Sequence, residues 1–341
     1  MRVCVISGDG IGPEVLGAAV NVLRAVVPDV ELIEAEAGWA TFQRLGVALP
    51  DTTLTAARAA DAVLFGAVAS PSHNVPGYRS PIVALRRELD LYANIRPVVG
   101  LQIDPTISNR PAATCNLVVV RENTEGLYSG RERLEDGGDT AIAERVITRR
   151  ASTRIVRAAF DLARSRAVAN HAQPKVTIVH KANVLRVSDG LFRTVALDVA
   201  AGYPDITTEE MLVDVAAMRL AQHPESFDVV VTTNLFGDIL SDVACIHGGG
   251  LGLASSANLG EGRALFEPVH GAAPDIVGKG IANPLAAIEC VAMLLEWRHL
   301  GSAAARVRAA AARVLADGPR TPDLGGASTT ADVARAVIER L

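Results

Sequence analysis

The chain has 341 residues, 49% of them hydrophobic, and its 33 basic and 38 acidic residues give a net charge of −5. Such a length can bury a large core in two domains or in one large one. The charge balance argues against a nucleic-acid partner or an anionic membrane surface. No apolar run approaches the roughly 20 residues that cross a bilayer. The four cysteines lack metal-type spacing, which fits reduced, buried thiols in a cytoplasmic protein.

Strand-like runs alternate with helical patterns along the chain. Strands are predicted at 3–7, 30–35, 62–66, 117–120, 176–180, 210–213 and 229–233. Helices are predicted at 13–26, 151–166, 186–201 and 283–297. This alternation predicts an α/β fold with a largely parallel sheet. Residues 129–140, rich in charge and glycine, resemble an exposed arm, which is either a subunit contact or a plain loop.

The turn after the first strand, Gly8-Asp-Gly-Ile-Gly-Pro-Glu14, invites comparison with a dinucleotide-binding fold. Its glycine spacing is not the full fingerprint, and Pro13 suits a first helical position for purely structural reasons. Glu34 and Glu36 fit only loosely as the acid that should end the second strand. The turn alone therefore leaves the Rossmann fold as one alternative.

Two carboxylates follow the apolar run that ends at Thr233. Asp238 and Asp242 are four residues apart, so on a helix they are neighbours on one face and repel each other unless a cation lies between them. Mg²⁺ or Mn²⁺ prefers such oxygen ligands. A solvated helix face is the alternative, but the position just past a buried strand is where open α/β sheets bind ligands.

Lysine is scarce in this chain. Lys175, Lys181 and Lys279 are the only lysines among the 33 basic residues. Arginine does not release its proton under ordinary conditions, whereas a partly buried lysine can act as a base. Lys181 directly follows an apolar run and is the candidate base, whereas Lys175 suits the start of a strand.

Arginines and a tyrosine also mark predicted strand and helix ends. Arg96 precedes a proline, Arg121 ends an apolar run, and Arg86 lies on a predicted helix. A buried guanidinium needs an anionic partner, which is either an internal carboxylate or a substrate with several carboxylates. Tyr128 follows Arg121 closely, and a neighbouring positive charge is expected to lower its pKa and suit it to act as a general acid.

Six motifs in order resemble the isocitrate and isopropylmalate dehydrogenases, and the resemblance covers essentially the whole chain. The motifs are Gly8–Glu14, Leu89–Pro97, Val120–Tyr128, His180–Leu185, Thr232–Asp242 and Phe266–Asp275. The resemblance implies two α/β domains that are not Rossmann domains, with the active site in the cleft between them. Residues 1–98 and 251–341 would form the larger, NAD-binding domain, and 99–250 the smaller one.

The resemblance also implies a homodimer, or a higher homo-oligomer, whose subunits share active sites. Asp214, Asp238 and Asp242 would bind Mg²⁺ or Mn²⁺, with Lys181 and Asp214 reaching across to the other subunit. Arg86, Arg96 and Arg121 would clamp the substrate. Lys181 would take the hydroxyl proton as hydride passes to NAD, CO₂ would leave, and Tyr128 would protonate the enolate.

The resemblance assigns a set of residues to the cofactor. Besides Asn183, which would bridge substrate and nicotinamide, they are Ile11, Ser70, Glu267, His270, Gly271, Ala273, Asp275, Ile276 and Asn283. NADP-dependent members carry a Lys-Tyr pair where this chain has Asp275 and Ile276. A carboxylate there can accept from the ribose hydroxyls and would repel a 2′-phosphate, so NAD is expected.

The substrate is expected to be read by the segment from Tyr78 to Arg86. Ser80 looks like a helix N-cap before Pro81, and it also matches the serine that contacts the γ-carboxylate in isocitrate dehydrogenases. Ile82 departs from the asparagine of those enzymes, and Val83 from the arginine of some homoisocitrate enzymes. The segment most resembles members that oxidise homoisocitrate to 2-oxoadipate in lysine biosynthesis. Isocitrate, 3-isopropylmalate and a noncatalytic regulatory subunit are the alternatives.

Overall fold

A computed structural model describes residues 1–73, 75–100, 115–170 and 173–341. These residues belong to two compact units. The first unit contains the described parts of 1–91 and 249–341, and the second contains those of 92–100 and 115–248. No helix in the described ranges is long and apolar enough to cross a membrane.

The strands and helices alternate along the chain. The strands are β1 (Arg2–Gly8), β2 (Glu31–Ala35), β3 (Ala62–Ala67), β4 (Ala93–Val99), β5 (Asn116–Glu122), β6 (Glu132–Glu135), β7 (Thr140–Ala143), β8 (Lys175–His180), β9 (Thr207–Leu212), β10 (Val229–Thr232), β11 (Ser255–Gly260) and β12 (Arg263–Pro268). The helices are α1 (Gly12–Val26), α2 (Trp39–Leu45), α3 (Asp51–Ala59), α4 (Pro81–Glu88), α5 (Arg149–Asn170), α6 (Ser188–Ala200), α7 (Val213–Gln222), α8 (Asn234–Cys245), α9 (Leu285–Trp297), α10 (Gly301–Asp317) and α11 (Thr330–Glu339).

In the first unit the strand order is β2-β1-β3-β12-β11. All neighbours are parallel except β11 and β12, which pair antiparallel from Ser255↔Pro268 to Gly260↔Arg263. Every residue of β3 is buried, as expected for a strand covered on both faces. Helix α9 is apolar around most of its surface and packs against α1 and α10, which places it in the interior.

In the second unit the strand order is β4-β5-β10-β8-β9. Strands β5, β10, β8 and β9 run parallel, while β4 pairs antiparallel with β5. Because the carboxyl ends of parallel strands meet at one edge of a sheet, Arg121, Thr233 and Lys181 all lie along that edge. This edge is where ligands bind in open α/β sheets.

The α/β prediction is confirmed, and most predicted elements are present with small shifts at their ends. The strand predicted at 210–213 instead runs over β9, because Thr207 pairs with Lys175 at the start of β8 and Val213 begins α7. The arm predicted at 129–140 contains β6 and the first residue of β7, and the antiparallel hairpin that these strands form extends to Ala143. Strand β11 was not predicted, because its buried Ser255, Ser256 and Asn258 interrupt any apolar run.

Candidate active site

The two predicted metal-binding acids lie on one face of α8, which starts directly after β10. Two arginines from β4 and β5 contact them. Asp238 is within 3.3 Å of Arg96 Nη2 and forms a close ion pair with Arg121, and Asp242 lies 3.6 Å from Arg96 Nη1. Two positive and two negative side chains from three elements therefore converge at this edge of the sheet.

Arg121 is fully buried at the end of β5, with 1% of its surface exposed. Its Nε and Nη2 donate to Asn234 Oδ1 at 3.1 and 2.8 Å, and its Nη1 donates to Asp238. The guanidinium also lies 5.1 Å from the centre of the Tyr128 ring. A Cβ at Gly237 would come within 2.6 Å of the Arg121 side chain, so the arginine packs into the space that this glycine leaves.

Arg96 is held by a second set of polar side chains. Its Nε donates to Asn94 Oδ1 and its Nη1 to Ser241 Oγ, both at 2.7 Å. Asn94 is fully buried and Ser241 nearly so. The guanidinium is thus oriented before any ligand binds, which lowers the entropic cost of ordering this side chain when a carboxylate binds.

Tyr128 follows β5 in a short 3₁₀ turn and donates its hydroxyl hydrogen to Asp238 Oδ2 at 2.7 Å. Burial and this hydrogen bond to a carboxylate raise the pKa of Tyr128, and Arg121 opposes the rise only in part. The prediction that the neighbouring arginine gives Tyr128 a lowered pKa is therefore wrong, because the net shift is upward. The contact with Asp238, 110 residues away in sequence, outweighs it.

The acids on α8 suit a hard divalent cation. Burial raises the pKa of Asp242, and repulsion from Asp238 adds to the rise, while Arg96 opposes it. A bound cation would relieve that repulsion, and oxygen donors are what Mg²⁺ and Mn²⁺ prefer. Within the described residues no group of three or more acidic, histidine or cysteine side chains is arranged to hold a metal. A single chain thus presents two of the three predicted ligands together.

Asp214, the third predicted ligand, lies in the first turn of α7 and contacts Lys181 instead. The Lys181 Nζ and Asp214 carboxylate form a close ion pair at the ends of two neighbouring elements, β8 and α7. This partner lowers the pKa of Asp214. Asn183 is exposed two residues after Lys181. Lys181 and Asp214 thus form a second pair, distinct from the pairs that the acids on α8 form with Arg96 and Arg121.

Arg86, the remaining predicted clamp, lies on α4 in the first unit. Its Nη2 donates to Glu267 Oε1 at 2.8 Å, and Asn258 Nδ2 donates to the same oxygen at 2.8 Å. Arg86 and Glu267 are 8% and 7% exposed, so the pair is buried. The structure gives Glu267, predicted to contact the cofactor, a partner within the protein.

The predicted substrate-reading segment begins α4. Ser80 occupies the N-cap position before Pro81, but its side chain makes no capping hydrogen bond. Ahead of it, the Tyr78 ring packs edge-on against Trp39 and Phe42, with centroids 5.4 and 5.3 Å away. The Tyr78 hydroxyl donates to the Ala69 carbonyl at 3.0 Å, next to the exposed Ser70. Aromatic packing thus fixes the segment's start.

Predicted cofactor residues meet where the β1–α1 turn touches the loop after β12. The Ile11 N–H donates to the Ala272 carbonyl at 3.0 Å, while the Ile11 side chain is buried. Gly10 has a φ of +60°, and a Cβ there would lie 2.1 Å from the same carbonyl oxygen. The glycine therefore admits another segment of the protein, a role different from the pyrophosphate approach of a Rossmann turn.

The loop after β12 carries groups that suit an adenosine. His270 Nδ1 donates to the Gly271 carbonyl at 3.1 Å, which leaves Nε2 as an acceptor. That Nε2 is buried and has no hydrogen-bond partner among the described residues, so it can accept from an adenine amino group. Ala273 is left-handed and starts the 3₁₀ turn that carries the exposed Asp275 and the half-buried Ile276.

Asn283 lies beyond this loop, just before α9. Its Nδ2 donates to Asp323 Oδ2 at 3.0 Å, and its Oδ1 accepts from the Leu285 N–H at 3.0 Å. Its side chain is buried and both ends of its amide are engaged. In the described chain it orders the start of the helix, and its predicted adenine contact stays a prediction.

Sequence reasoning missed the residues that hold the arginines. Asn94 shares a strand face with Arg96, because the two are two residues apart on β4. Asn234 and Ser241 lie four residues before and three after Asp238 on α8, which are helix-face spacings. Applying these periodicities outward from the predicted residues would have identified all three.

Comparison with known proteins identifies similar chains. The family profile described as isocitrate/isopropylmalate dehydrogenase matches residues 2–337. An isocitrate/homoisocitrate dehydrogenase of Thermus thermophilus is 51% identical over 100% of this chain and 98% of its own. A homoisocitrate dehydrogenase of Methanocaldococcus jannaschii is 49% identical over 99% and 97%. The crystal structure of isocitrate dehydrogenase from Methylococcus capsulatus superposes with a TM-score of 0.93 at 44% identity, covering 99% of this chain and 98% of that one.

Proposed function

Because the chain belongs to the isocitrate/isopropylmalate dehydrogenase family and is a decarboxylating dehydrogenase, we propose that it oxidises homoisocitrate to 2-oxoadipate with NAD and a divalent cation. The product would serve lysine biosynthesis through α-aminoadipate. The observation that carries the proposal is the contact of Asp238 with Arg96, Arg121 and Tyr128. The names of the Thermus thermophilus relative at 51% identity and of the Methanocaldococcus jannaschii homoisocitrate dehydrogenase at 49% support the choice of substrate. Another Methanocaldococcus jannaschii relative at 49% is named 3-isopropylmalate/3-methylmalate dehydrogenase, so the assay must include 3-isopropylmalate.

The charges on the second unit favour a polyanionic substrate bound with a cation. Arg96 and Arg121 are balanced by Asp238 and Asp242, so a cation taken up by the acids frees the guanidiniums for substrate carboxylates. Guanidiniums pair bidentately with such groups. Arg86 keeps its role as a third clamp in this proposal.

The chain's own groups then move the protons. When bound, the divalent cation would make the substrate hydroxyl more acidic, and NAD would accept a hydride from the carbon that bears this hydroxyl. Lys181 accepts the hydroxyl proton, and Tyr128 protonates the carbon from which CO₂ has left. Tyr128 is suited to hold its proton until then, because burial and Asp238 raise its pKa.

We infer that the working form is a dimer in which Lys181 and Asp214 serve the other subunit. Met218 is 53% exposed and lies four residues after Asp214 on α7, so the two share a helix face. Ile239, beside Asp238 on α8, is 51% exposed. Apolar surface next to both halves of the predicted metal site suits burial against a second copy.

Isocitrate is the second candidate substrate. Ser80 makes no capping hydrogen bond, and its hydroxyl matches the serine that contacts the γ-carboxylate in isocitrate dehydrogenases. The Thermus relative carries both substrates in its name. A noncatalytic regulatory subunit is disfavoured, because Tyr128, Lys181 and the three predicted acids are all present.

The proposal is tested by Lys181→Met, with Lys175→Met as the matched control. Both lysines lie at the ends of β8 and both pair with a carboxylate, Lys175 with Glu209 at 2.6 Å. Lys181→Met should abolish substrate-dependent NAD reduction because the base is lost, while NAD binding measured by calorimetry stays nearly intact. Lys175→Met should keep its NAD reduction. Turnover retained in Lys181→Met would contradict the role of Lys181 as base.

A further inference from the structure

We propose that Asp189 and Arg145 are positioning residues that fix the backbone of Lys181. This inference rests on the function proposed above, in which Lys181 is the base. Asp189 lies in the first turn of α6 and has no exposed surface. Its Oδ2 accepts from the Lys181 N–H at 2.7 Å, and its Oδ1 lies 2.7 Å from Arg145 Nη2. One buried carboxylate thus joins the base to an arginine whose side chain is 12% exposed.

The contact with Asp189 completes the backbone bonding of Lys181. The Lys181 carbonyl already accepts from the N–H groups of Val184 and Leu185 at 3.0 and 2.8 Å. With the N–H held as well, only side-chain rotation is left to move Nζ. A base must be held within a fraction of an ångström of its proton, and supporting residues provide that precision.

Arg145 extends the support to the other predicted catalytic elements. Its Nη2 donates to Thr233 Oγ1 at 2.8 Å at the N-cap of α8, and its guanidinium lies 4.4 Å from the centre of the Phe236 ring in the first turn. The next residue, Val146, accepts from the Gly126 N–H at 2.8 Å, two residues before Tyr128. The pair therefore ties the loops of Lys181 and Tyr128 to the helix that carries Asp238.

The two oxygens of Asp189 cannot be replaced by an amide without loss. Asp189 accepts from the Lys181 N–H with one oxygen and faces the Arg145 guanidinium with the other. Asparagine has a single acceptor oxygen and would turn an NH₂ group toward one of these two donors. Asp189→Asn keeps the size of the side chain and necessarily breaks one of the two contacts.

The chain contains a matched control at the other end of β8. Asp228 Oδ2 accepts from the Lys175 N–H at 3.2 Å, and Asp228 Oδ1 accepts from Arg166 Nε at 2.9 Å. Lys175, like Lys181, pairs its amine with a carboxylate. Asp228→Asn repeats the same chemical change at a lysine with no proposed role in the reaction.

The experiment uses the scarcity of lysine. Reductive methylation with ¹³C-formaldehyde of the full-length protein gives dimethylamine signals from only three lysines and the N-terminus, and Lys→Arg variants assign them. Asp189→Asn should displace or double the Lys181 signal and leave those of Lys175 and Lys279 in place. Asp228→Asn should displace the Lys175 signal alone.

Kinetics on the unmethylated proteins give the functional readout. Asp189→Asn should lower kcat about 10- to 100-fold, as expected for a displaced catalytic group, with KM for NAD nearly unchanged. Asp228→Asn should leave kcat within about twofold of the parent. A folded Asp189→Asn protein whose Lys181 signal and kcat match the parent's, or an equal loss of kcat in Asp228→Asn, overturns the proposal.

Hydrogen exchange of the parent protein covers the case in which Asp189→Asn does not fold. Measured at single-residue resolution, the backbone N–H of Lys181 should exchange slowly, because it is bonded to a buried carboxylate. Exchange as fast as that of an open loop would overturn the proposal. The two proposals are separable. Turnover retained in Lys181→Met refutes the role of Lys181 as base. The dimethylamine and exchange measurements need no substrate, and they test whether Asp189 and Arg145 fix the backbone of Lys181.

Discussion

Glu267→Gln should destabilise the first unit far more than the same change at Glu88. Glu267 pairs with Arg86 at 2.8 Å with both side chains 10% exposed, whereas Glu88 pairs with Arg58 at 2.8 Å with side chains 50% and 46% exposed. The residue types and distances match, so the two pairs differ chiefly in burial. Asn258 also donates to Glu267, which adds to the loss.

The magnitudes follow from the environment of each pair. Removing one partner of a buried ion pair costs about 3–5 kcal/mol, because the other charge stays buried without compensation. Glutamine keeps one acceptor oxygen at position 267, so the lower end, about 3 kcal/mol, is expected. The exposed pair is screened by water and its loss should cost about 0–1 kcal/mol.

Urea unfolding followed by tryptophan fluorescence measures the difference. The only two tryptophans, Trp39 and Trp297, both belong to the first unit, so their emission reports on the part that contains both glutamates. At an m-value of about 3 kcal/mol/M, Glu267→Gln should lower the midpoint by roughly 1 M. Equal midpoints for the two variants would refute the assignment of the energy to burial.

Further predictions concern the cofactor, acid stability and substrate. Asp275→Lys combined with Ile276→Tyr should raise the ratio of kcat/KM for NADP over NAD by about tenfold or more, equivalent to ~1.4 kcal/mol, because the carboxylate no longer repels the 2′-phosphate. Burial lowers the pKa of His180 below its ordinary 6.5, and its Nδ1 accepts from the Ala182 N–H at 3.1 Å. As the pH falls, the His180 imidazole of the unfolded chain is protonated before that of the folded chain, so stability is lost below about pH 6.5. His180→Asn should therefore reduce the drop in Tm between about pH 7.5 and pH 5. An unchanged drop would contradict the assignment of this acid destabilisation to His180. Val83→Arg should raise kcat/KM for homoisocitrate relative to 3-isopropylmalate by about tenfold, since a guanidinium can pair with the distal carboxylate.

The order of strands and helices was predictable because the buried runs are distinct. Val229–Thr232 is apolar and directly precedes a helix, so the position of Asp238 and Asp242 followed from sequence. Strand β11 did not follow, since its buried serines and asparagine are satisfied by partners such as the Glu267 carbonyl, which accepts from Ser256 at 3.1 Å. No local pattern carries that information.

The roles of single residues were predictable only where they depend on local spacing. The predicted direction of the Tyr128 pKa shift was wrong. Arg121 is near in sequence, whereas burial, which raises this pKa most, and the contact with Asp238 arise only through the fold. The link between Arg145 and Asp189 was likewise not visible, since it joins segments 44 residues apart that carry no shared motif.

The most direct test of the central claim is NAD reduction by the purified protein with Mg²⁺ and, separately, homoisocitrate, isocitrate and 3-isopropylmalate. We expect kcat/KM for homoisocitrate to exceed the other two by about tenfold, or ~1.4 kcal/mol of transition-state binding, and activity to vanish with EDTA and return with Mg²⁺. Preference for 3-isopropylmalate would contradict the account, because Ile82 and Val83 would then form an apolar pocket in place of one that accepts the longer acid.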